Sequence, residues 1–145
     1  MALRIGKSEW EQLRTHAEET YPNECCGVLL GQMDEKRGKT VESLAPCENQ
    51  RFDSSHNRYL IDPLELIHIQ QDARARGQDI VGFYHSHPDH AAQWSTTDLA
   101  EAHWTGCSYV ITSVQKGRAS ETNSFELVGD EEQKHFEDEE IKVGE

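Results

Sequence analysis

The stretch from Ile80 to Asp98 leaves a folding chain few choices. Ile80-Val81-Gly82-Phe83-Tyr84 is a short apolar run that reads as a strand, and His85-Ser86-His87 follows without a break. Side chains alternate along a strand, so His85 and His87 project to the same side. Seven residues, Pro88 to Trp94, then separate His87 from Ser95. Ser95-Thr96-Thr97-Asp98 has the spacing of a capping box, which starts a helix at Ser95 and puts Asp98 in its first turn. From there the Asp98 carboxylate can swing back over the end of the strand.

That grouping has a chemical meaning. Two imidazoles on one face suit two corners of a tetrahedral zinc site. Two histidines and one carboxylate leave a fourth position for water, the open arrangement of a catalytic rather than a structural zinc. Such a site needs a general base beside the water. Glu24 is the candidate, because it follows Pro22-Asn23 and precedes a buried strand that could hold it rigidly. Each residue also has a plainer reading. A helix start alone accounts for Ser95 and Asp98, the histidines could be hydrogen-bonded sheet residues, and Glu24 could be a surface acid. A strand-borne HxH with a serine and an aspartate at fixed distances is much harder to reach by accident.

The rest of the chain reads as mixed α and β around one sheet. Ser8 is an N-cap for a helix through about Thr20, with Trp10, Leu13 and Ala17 forming one apolar stripe and Pro22 stopping it. Cys26 to Leu30 reads as a fully buried strand ending at Gly31. The charged stretch Gln32 to Lys39 reads as a hairpin loop before a strand near Val41 to Leu44, and residues 45–58 as irregular. Tyr59-Leu60-Ile61 reads as a strand, and Asp62-Pro63 as an N-cap with proline at the first helical position. Leu64, Ile67 and Gln71 share one face of the helix that follows, which ends near Arg76 with Gly77 as its cap. A third helix is expected from Ser95 to about Trp104, a buried strand from Ser108 to Val114, and another through Phe125 to Val128. From Asp130 to Glu140 there are seven acids against Lys134 alone. A solvated, partly frayed segment over 130–145 is expected there, with a short strand at Ile141 to Val143 as the alternative. No repeat or linker divides the chain, so residues 1–145 read as one domain.

Charge and composition narrow the partners. The chain has 145 residues and a formal net charge of -13. A chain of this size buries roughly 68–70% of its unfolded surface, enough for a core without disulfide staples. The acidic balance argues against nucleic acid or an anionic membrane as a partner, since each would repel it. No apolar run approaches the ~20 residues of a membrane span. The start, MALRIGKSEW, lacks the apolar segment of a secretion signal, so a soluble cytoplasmic protein is expected. Cys25, Cys26, Cys47 and Cys107 show no CxxC spacing and read as small buried hydrophobes in a reducing compartment. Nothing in the sequence fixes the oligomeric state.

His85-Ser86-His87-Pro88-Asp89-His90 also spells HxHxDH, which resembles the metal-binding run of the metallo-β-lactamase superfamily. That fold needs a longer chain and more ligands downstream. Only 55 residues follow His90, with His103 and His135 as their only histidines.

A more specific resemblance covers most of residues 5–115. Glu24, then His85-Ser86-His87, seven residues, Ser95, two residues and Asp98 resembles the JAMM (MPN+) metallopeptidase pattern. Pro22-Asn23-Glu24-Cys25-Cys26-Gly27-Val28-Leu29-Leu30-Gly31 resembles that family's first motif, and Tyr59-Leu60-Ile61-Asp62-Pro63 its middle strand–helix junction. The resemblance implies an α+β fold: a single curved, mixed, mostly antiparallel sheet flanked by helices, related to the cytidine deaminase architecture. It implies that His85, His87 and Asp98 hold zinc. Glu24 would take a proton from the zinc-bound water and pass it to the leaving amine, and Ser95 would steady the oxyanion.

The compact length and the HSHPDH and Cys26-Gly27 contexts look more like bacterial members that process ubiquitin-like sulfur carrier proteins. These hydrolyse the amide bond after a C-terminal Gly-Gly and release cysteine or an adduct. The loop holds Ala91, Ala92 and Trp94 where relatives often have prolines. Trp94 could line a groove for the Gly-Gly tail or simply be packed. His90 could be a spare ligand or substrate contact or be solvated, and Asn49 and Arg51 could touch substrate. A non-catalytic MPN scaffold is the main alternative. Scaffolds have usually lost a ligand or the glutamate, whereas this chain keeps all five positions. A deaminase-like enzyme would need a Cys-Pro-x-x-Cys pair, and none exists.

Overall fold

The computed structural model describes residues 2–51 and 59–144. Two strands, β2 (Cys26–Asp34) and β4 (Asp79–Pro88), form its centre. Residues 26–31 and 80–86 are buried without interruption, as strands covered on both faces must be. The two pair antiparallel, with Cys26 opposite His85 and Val28 opposite Phe83. Their ladder slips by one residue between Leu29 and Leu30. A one-residue slip exchanges the faces of everything beyond it. Ile80 and Phe83, three apart, therefore share one apolar cluster, while Val81 and Tyr84 share the other. By alternation His85 and His87 leave β4 on the Phe83 side, and Ser86 leaves it on the Tyr84 side.

Helices cover both sides. On α1 (Lys7–Thr20), Leu13 and Ala17 are buried in the cluster of Val81 and Tyr84, and Trp10 packs against it, which is the stripe the sequence predicts. The cap is different: Gly6, in extended backbone, precedes the helix, and Ser8 lies inside it accepting from Gln12 Nε2 at 3.2 Å. On α2 (Pro63–Ala75), Asp62 accepts from the Leu64 N–H at 3.0 Å, Pro63 stands at the start, and Gly77 follows the end with φ +79°. Its inward face is not the predicted one. Leu66, Ile69 and Ala73 pack on Ile80 and Phe83, whereas Leu64 and Ile67 are 66% and 50% exposed. Both stripes have helical spacing, and the one ending in a small alanine can lie closer to the sheet. Tyr59–Ile61 joins no strand; Gln50 N donates to Leu60 O at 2.8 Å, and Tyr59 and Ile61 pack beneath α2. α3 (Thr96–Glu101) stops three residues short of the expected Trp104.

The remaining strands are β1 (Ala2–Ile5), β3 (Gly38–Cys47), β5 (Ser108–Gln115), β6 (Arg118–Val128) and β7 (His135–Val143). They close the sheet into a barrel in the order β1-β3-β2-β4-β5-β6-β7. Four of its seven pairings are antiparallel. β2 runs past Gly31 to Asp34, and β3 covers residues 45–47, expected to be irregular; residues 52–58 of that stretch lie outside the described ones. Gly31 marks a close approach, not a strand end: a Cβ there would collide with the Thr40 carbonyl at a bulge in the β2–β3 ladder.

The largest departure is the acidic end. Residues 135–143 form β7, which pairs with β6 and β1 and closes the barrel. Phe136 packs on Tyr109 and Phe125, and Glu139 is drawn inside. Its carboxylate accepts from Lys39 Nζ at 2.8 Å, Ser108 Oγ at 2.5 Å and Ser124 Oγ at 2.7 Å. All four cysteines are buried free thiols, and burial pushes those of Cys25, Cys47 and Cys107 up to about 12. Among the described residues no helix is long and apolar enough to cross a membrane.

Candidate metal centre and base

Three ligand-type side chains meet at the end of β4. His85 Nε2 and His87 Nε2 lie 3.3 Å apart, and the Asp98 carboxylate reaches both, with Oδ1 at 3.3 Å from His85 and Oδ2 at 3.2 Å from His87. Strand alternation supplies the pair of imidazoles. The start of α3 supplies the carboxylate, through a full capping box: Asp98 N donates to Ser95 Oγ at 3.0 Å, and Ser95 N donates to Asp98 Oδ2 at 2.9 Å. Capping and clustering are thus one device, since the bond from Ser95 N aims the carboxylate at the histidines.

The histidine orientations follow from their outer contacts. His87 Nδ1 is 3.0 Å from the Ala91 carbonyl oxygen, which can only accept, so Nδ1 carries the proton. That leaves His87 Nε2, the nitrogen facing His85 and Asp98, as the atom available to a metal. His85 is fully buried and its ring stacks on Tyr59, with centroids 4.5 Å apart and planes 25° from parallel. Burial holds the His85 pKa below its usual value, against the pull of Asp98. For His87 burial also lowers, but the bonds to Asp98 and Ala91 and the nearby Glu24 leave it raised. Burial works against the Asp98 charge too, yet the two histidines hold that carboxyl far below the usual range. Two imidazole nitrogens and a carboxylate oxygen lie within 4.8 Å of one another, close enough to hold one ion. That donor set fits a divalent transition metal.

Glu24 stands beside this cluster, 4% exposed, with Oε1 buried and, among the described residues, without a hydrogen-bond partner. Burial pushes its pKa up to about 8; His87 opposes the rise, and Asp98 and Glu101 add to it. The chain fixes it from both flanks. Cys25 N donates to Ser86 Oγ at 2.8 Å, and Ser86 N donates to Cys25 O at 3.3 Å. Tyr21 Oη donates to Asp89 Oδ2 at 2.5 Å. Ser86, the middle of the His-Ser-His run, is therefore the anchor for the segment carrying Glu24, a role its position on the opposite strand face could have suggested.

Glu24, His87, His90, Ala91, Gln93, Ser95 and Thr97 line a cavity of about 430 Å³. Ser95 Oγ accepts from Asp98 N, which leaves its hydroxyl proton to donate into that space. Trp94 is not among the lining residues; it packs on Phe136, with ring centroids 5.5 Å apart. His90 lines the rim, its backbone oxygen held by Ser113 Oγ and Gln115 Nε2. Asp89 is not a ligand: it accepts from Tyr21 and from Lys116 N. Neither Asp89 nor His90 belongs to the cluster, so the HxHxDH reading does not hold.

Comparison with known proteins shows which family the chain belongs to. The Haloferax volcanii protein named desampylase is 36% identical over 133 residues, spanning 89% of this chain and 90% of that one. A probable TtuB-protein conjugate cleaving protease from Thermus thermophilus is 30% identical over 119 residues, 82% of this chain and 75% of that one. The solution structure of protein DSY2949 from Desulfitobacterium hafniense superposes with a TM-score of 0.80 at 30% identity, over 99% of this chain and 93% of that one. The family model for prokaryotic homologs of the JAB domain matches residues 6–128, and the chain belongs to that family.

Proposed function

We propose that this protein is a zinc metallopeptidase that hydrolyses the amide bond after the C-terminal Gly-Gly of a ubiquitin-like sulfur carrier protein. The observation that carries the reading is the pairing of a clustered His85–His87–Asp98 ligand set with a buried Glu24 oxygen that has no hydrogen-bond partner among the described residues, beside the same cavity. A scaffold has no use for a carboxyl kept dry in that position. The names of the Haloferax and Thermus relatives support cleavage of protein conjugates.

In this reading His85 Nε2, His87 Nε2 and an Asp98 oxygen hold the metal. When bound, zinc supplies Lewis-acid polarisation of the scissile carbonyl and acidifies water. Its positive charge also favours the carboxylate form of Glu24 against burial. Glu24 accepts a proton from the attacking water and delivers it to the amine nitrogen as the C–N bond breaks. Ser95 donates its hydroxyl hydrogen to the carbonyl oxygen as negative charge builds there, a contribution of about 3 kcal/mol for one such donor. His87 is kept in the right tautomer by Ala91 throughout. The products are the carrier's Gly-Gly carboxylate and a free amine.

The test is to incubate zinc-loaded wild type and Glu24→Ala with a sulfur carrier bearing a C-terminal Gly-Gly-Cys extension, and to follow carrier mass. Wild type should shorten the carrier to Gly-Gly, and Glu24→Ala should not while retaining zinc. An intact carrier after prolonged incubation with zinc-loaded wild type refutes the reading.

A further inference from the structure

Asn49 follows β3 and carries no motif of its own. Among the described residues its side chain reaches three backbone groups. Nδ2 donates to the Glu24 carbonyl oxygen at 3.2 Å, and Oδ1 accepts from Arg51 N at 2.9 Å and Leu60 N at 3.1 Å. These partners also settle which amide atom is which, because two N–H donors require the oxygen and a carbonyl requires the nitrogen. Beside it, Gln50 N donates to Leu60 O at 2.8 Å.

The groups joined this way belong to the two halves of the site. One is the backbone of Glu24 itself, whereas the Ser86 and Tyr21 contacts hold only residues on either side of it. The other is Leu60, next to Tyr59, whose ring lies flat against His85. Among the described residues His85 Nδ1 is buried without a hydrogen-bond partner, so the stacked Tyr59 ring is the contact that sets the plane of His85, where His87 has the Ala91 carbonyl. One short side chain therefore sets the separation between the base and the face of a ligand histidine. Few residues can replace it: aspartate keeps the acceptor but sets an oxygen against the Glu24 carbonyl, and alanine loses all three bonds.

We propose that Asn49 is a positioning residue for the reaction, holding Glu24 and the Tyr59-backed His85 at a fixed separation without touching a reacting atom. This rests on the reading of Glu24 as the proton-transferring group. Misplacement by about 1 Å can lower a rate a hundredfold, so a loosened Glu24 should lower kcat much more than it raises KM.

The experiment compares zinc-loaded wild type, Asn49→Asp and Asn49→Ala on the Gly-Gly-Cys carrier, with zinc content and the backbone carbonyl 13C resonance of Glu24 measured on each. Both variants should hold one zinc, keep KM within about twofold and lose at least about tenfold in kcat. Both should shift the Glu24 carbonyl resonance, and Asn49→Ala should also shift the ring resonances of His85. Wild-type kcat in either variant overturns the proposal, and a fall confined to Asn49→Asp assigns the effect to its added charge and overturns it as well. If wild type cleaves nothing, the assigned reaction fails and Asn49 is judged on the resonances alone. Shifts at both Glu24 and His85 in Asn49→Ala support the coupling, and unmoved resonances overturn it.

Discussion

Replacing Lys39 by methionine should remove the cation that, among the described residues, compensates Glu139 inside the barrel. Lys39 Nζ lies 2.8 Å from Glu139 Oε2 and 2.9 Å from Glu126 Oε1, and the Glu139 side chain is only 2% exposed. Methionine fills the space of the lysine stem but leaves the carboxylate with two serine hydroxyls and no positive charge. Breaking a buried pair from one side is destabilising by about 3–5 kcal/mol, and the two hydroxyls favour the lower end. At roughly 3 °C per kcal/mol for a domain of this size, the melting temperature should fall by about 10 °C. Thermal unfolding of the metal-free proteins followed by circular dichroism at pH 7 measures it. The double variant Lys39→Met/Glu139→Leu should recover most of the loss, because an apolar replacement of both partners removes the uncompensated charge. Burial works against the Lys39 charge, but the two carboxylates outweigh it and leave its pKa raised. A raised folded value means the contribution is complete below the unfolded pKa of about 10.4 and is lost as pH rises through the folded one. The gap between wild type and Lys39→Met should therefore narrow above pH ~10.5. A Lys39→Met protein melting within about 2 °C of wild type at pH 7, or a double variant weaker than the single, would refute the reasoning.

Three further outcomes follow from the site and the sheet. Asp98→Ala should purify with less than a tenth of the zinc of wild type by elemental analysis at equal chelator exposure, since losing a group that merely hydrogen-bonds a ligand can weaken a site about 10–100-fold and this change removes a proposed ligand itself. Glu24→Gln should stabilise the metal-free protein: burial puts the folded pKa near 8 against 4.5, so wild-type stability falls as pH rises through that interval. The melting temperatures of the two proteins should coincide near pH 4.5 and separate by several degrees at pH 8, with glutamine the higher. Gly31→Val should unfold or melt far lower than wild type, because its Cβ meets the Thr40 carbonyl, a backbone group that cannot step aside.

The candidate metal cluster was legible because its parts are local. His85 and His87 sit on one strand, and Ser95 and Asp98 on one helix start, so periodicity and capping chemistry alone place them. Glu24 was a candidate from its place before a buried strand, but nothing within its own segment shows that β2 lies beside β4. Asn49 and Ser86 act through backbone groups far away in sequence, which residue patterns do not report. The closing strand was hidden for an electrostatic reason. Seven acids suggest solvation, and it takes the amine of Lys39 from β3 together with the hydroxyls of Ser108 and Ser124 to offset the burial of Glu139. On α2 two apolar stripes compete, and the choice of Leu66, Ile69 and Ala73 over Leu64 and Ile67 is made by the sheet beneath.

The central claim is that a metal held by His85, His87 and Asp98 and a proton carried by Glu24 are both required. It is tested most directly by titrating zinc into metal-free protein while measuring the initial rate of carrier cleavage. The rate should rise in proportion to zinc and stop at one equivalent per chain, and Glu24→Ala should bind that equivalent without cleaving. Full-rate cleavage by the metal-free protein, or by zinc-loaded Glu24→Ala, would contradict it.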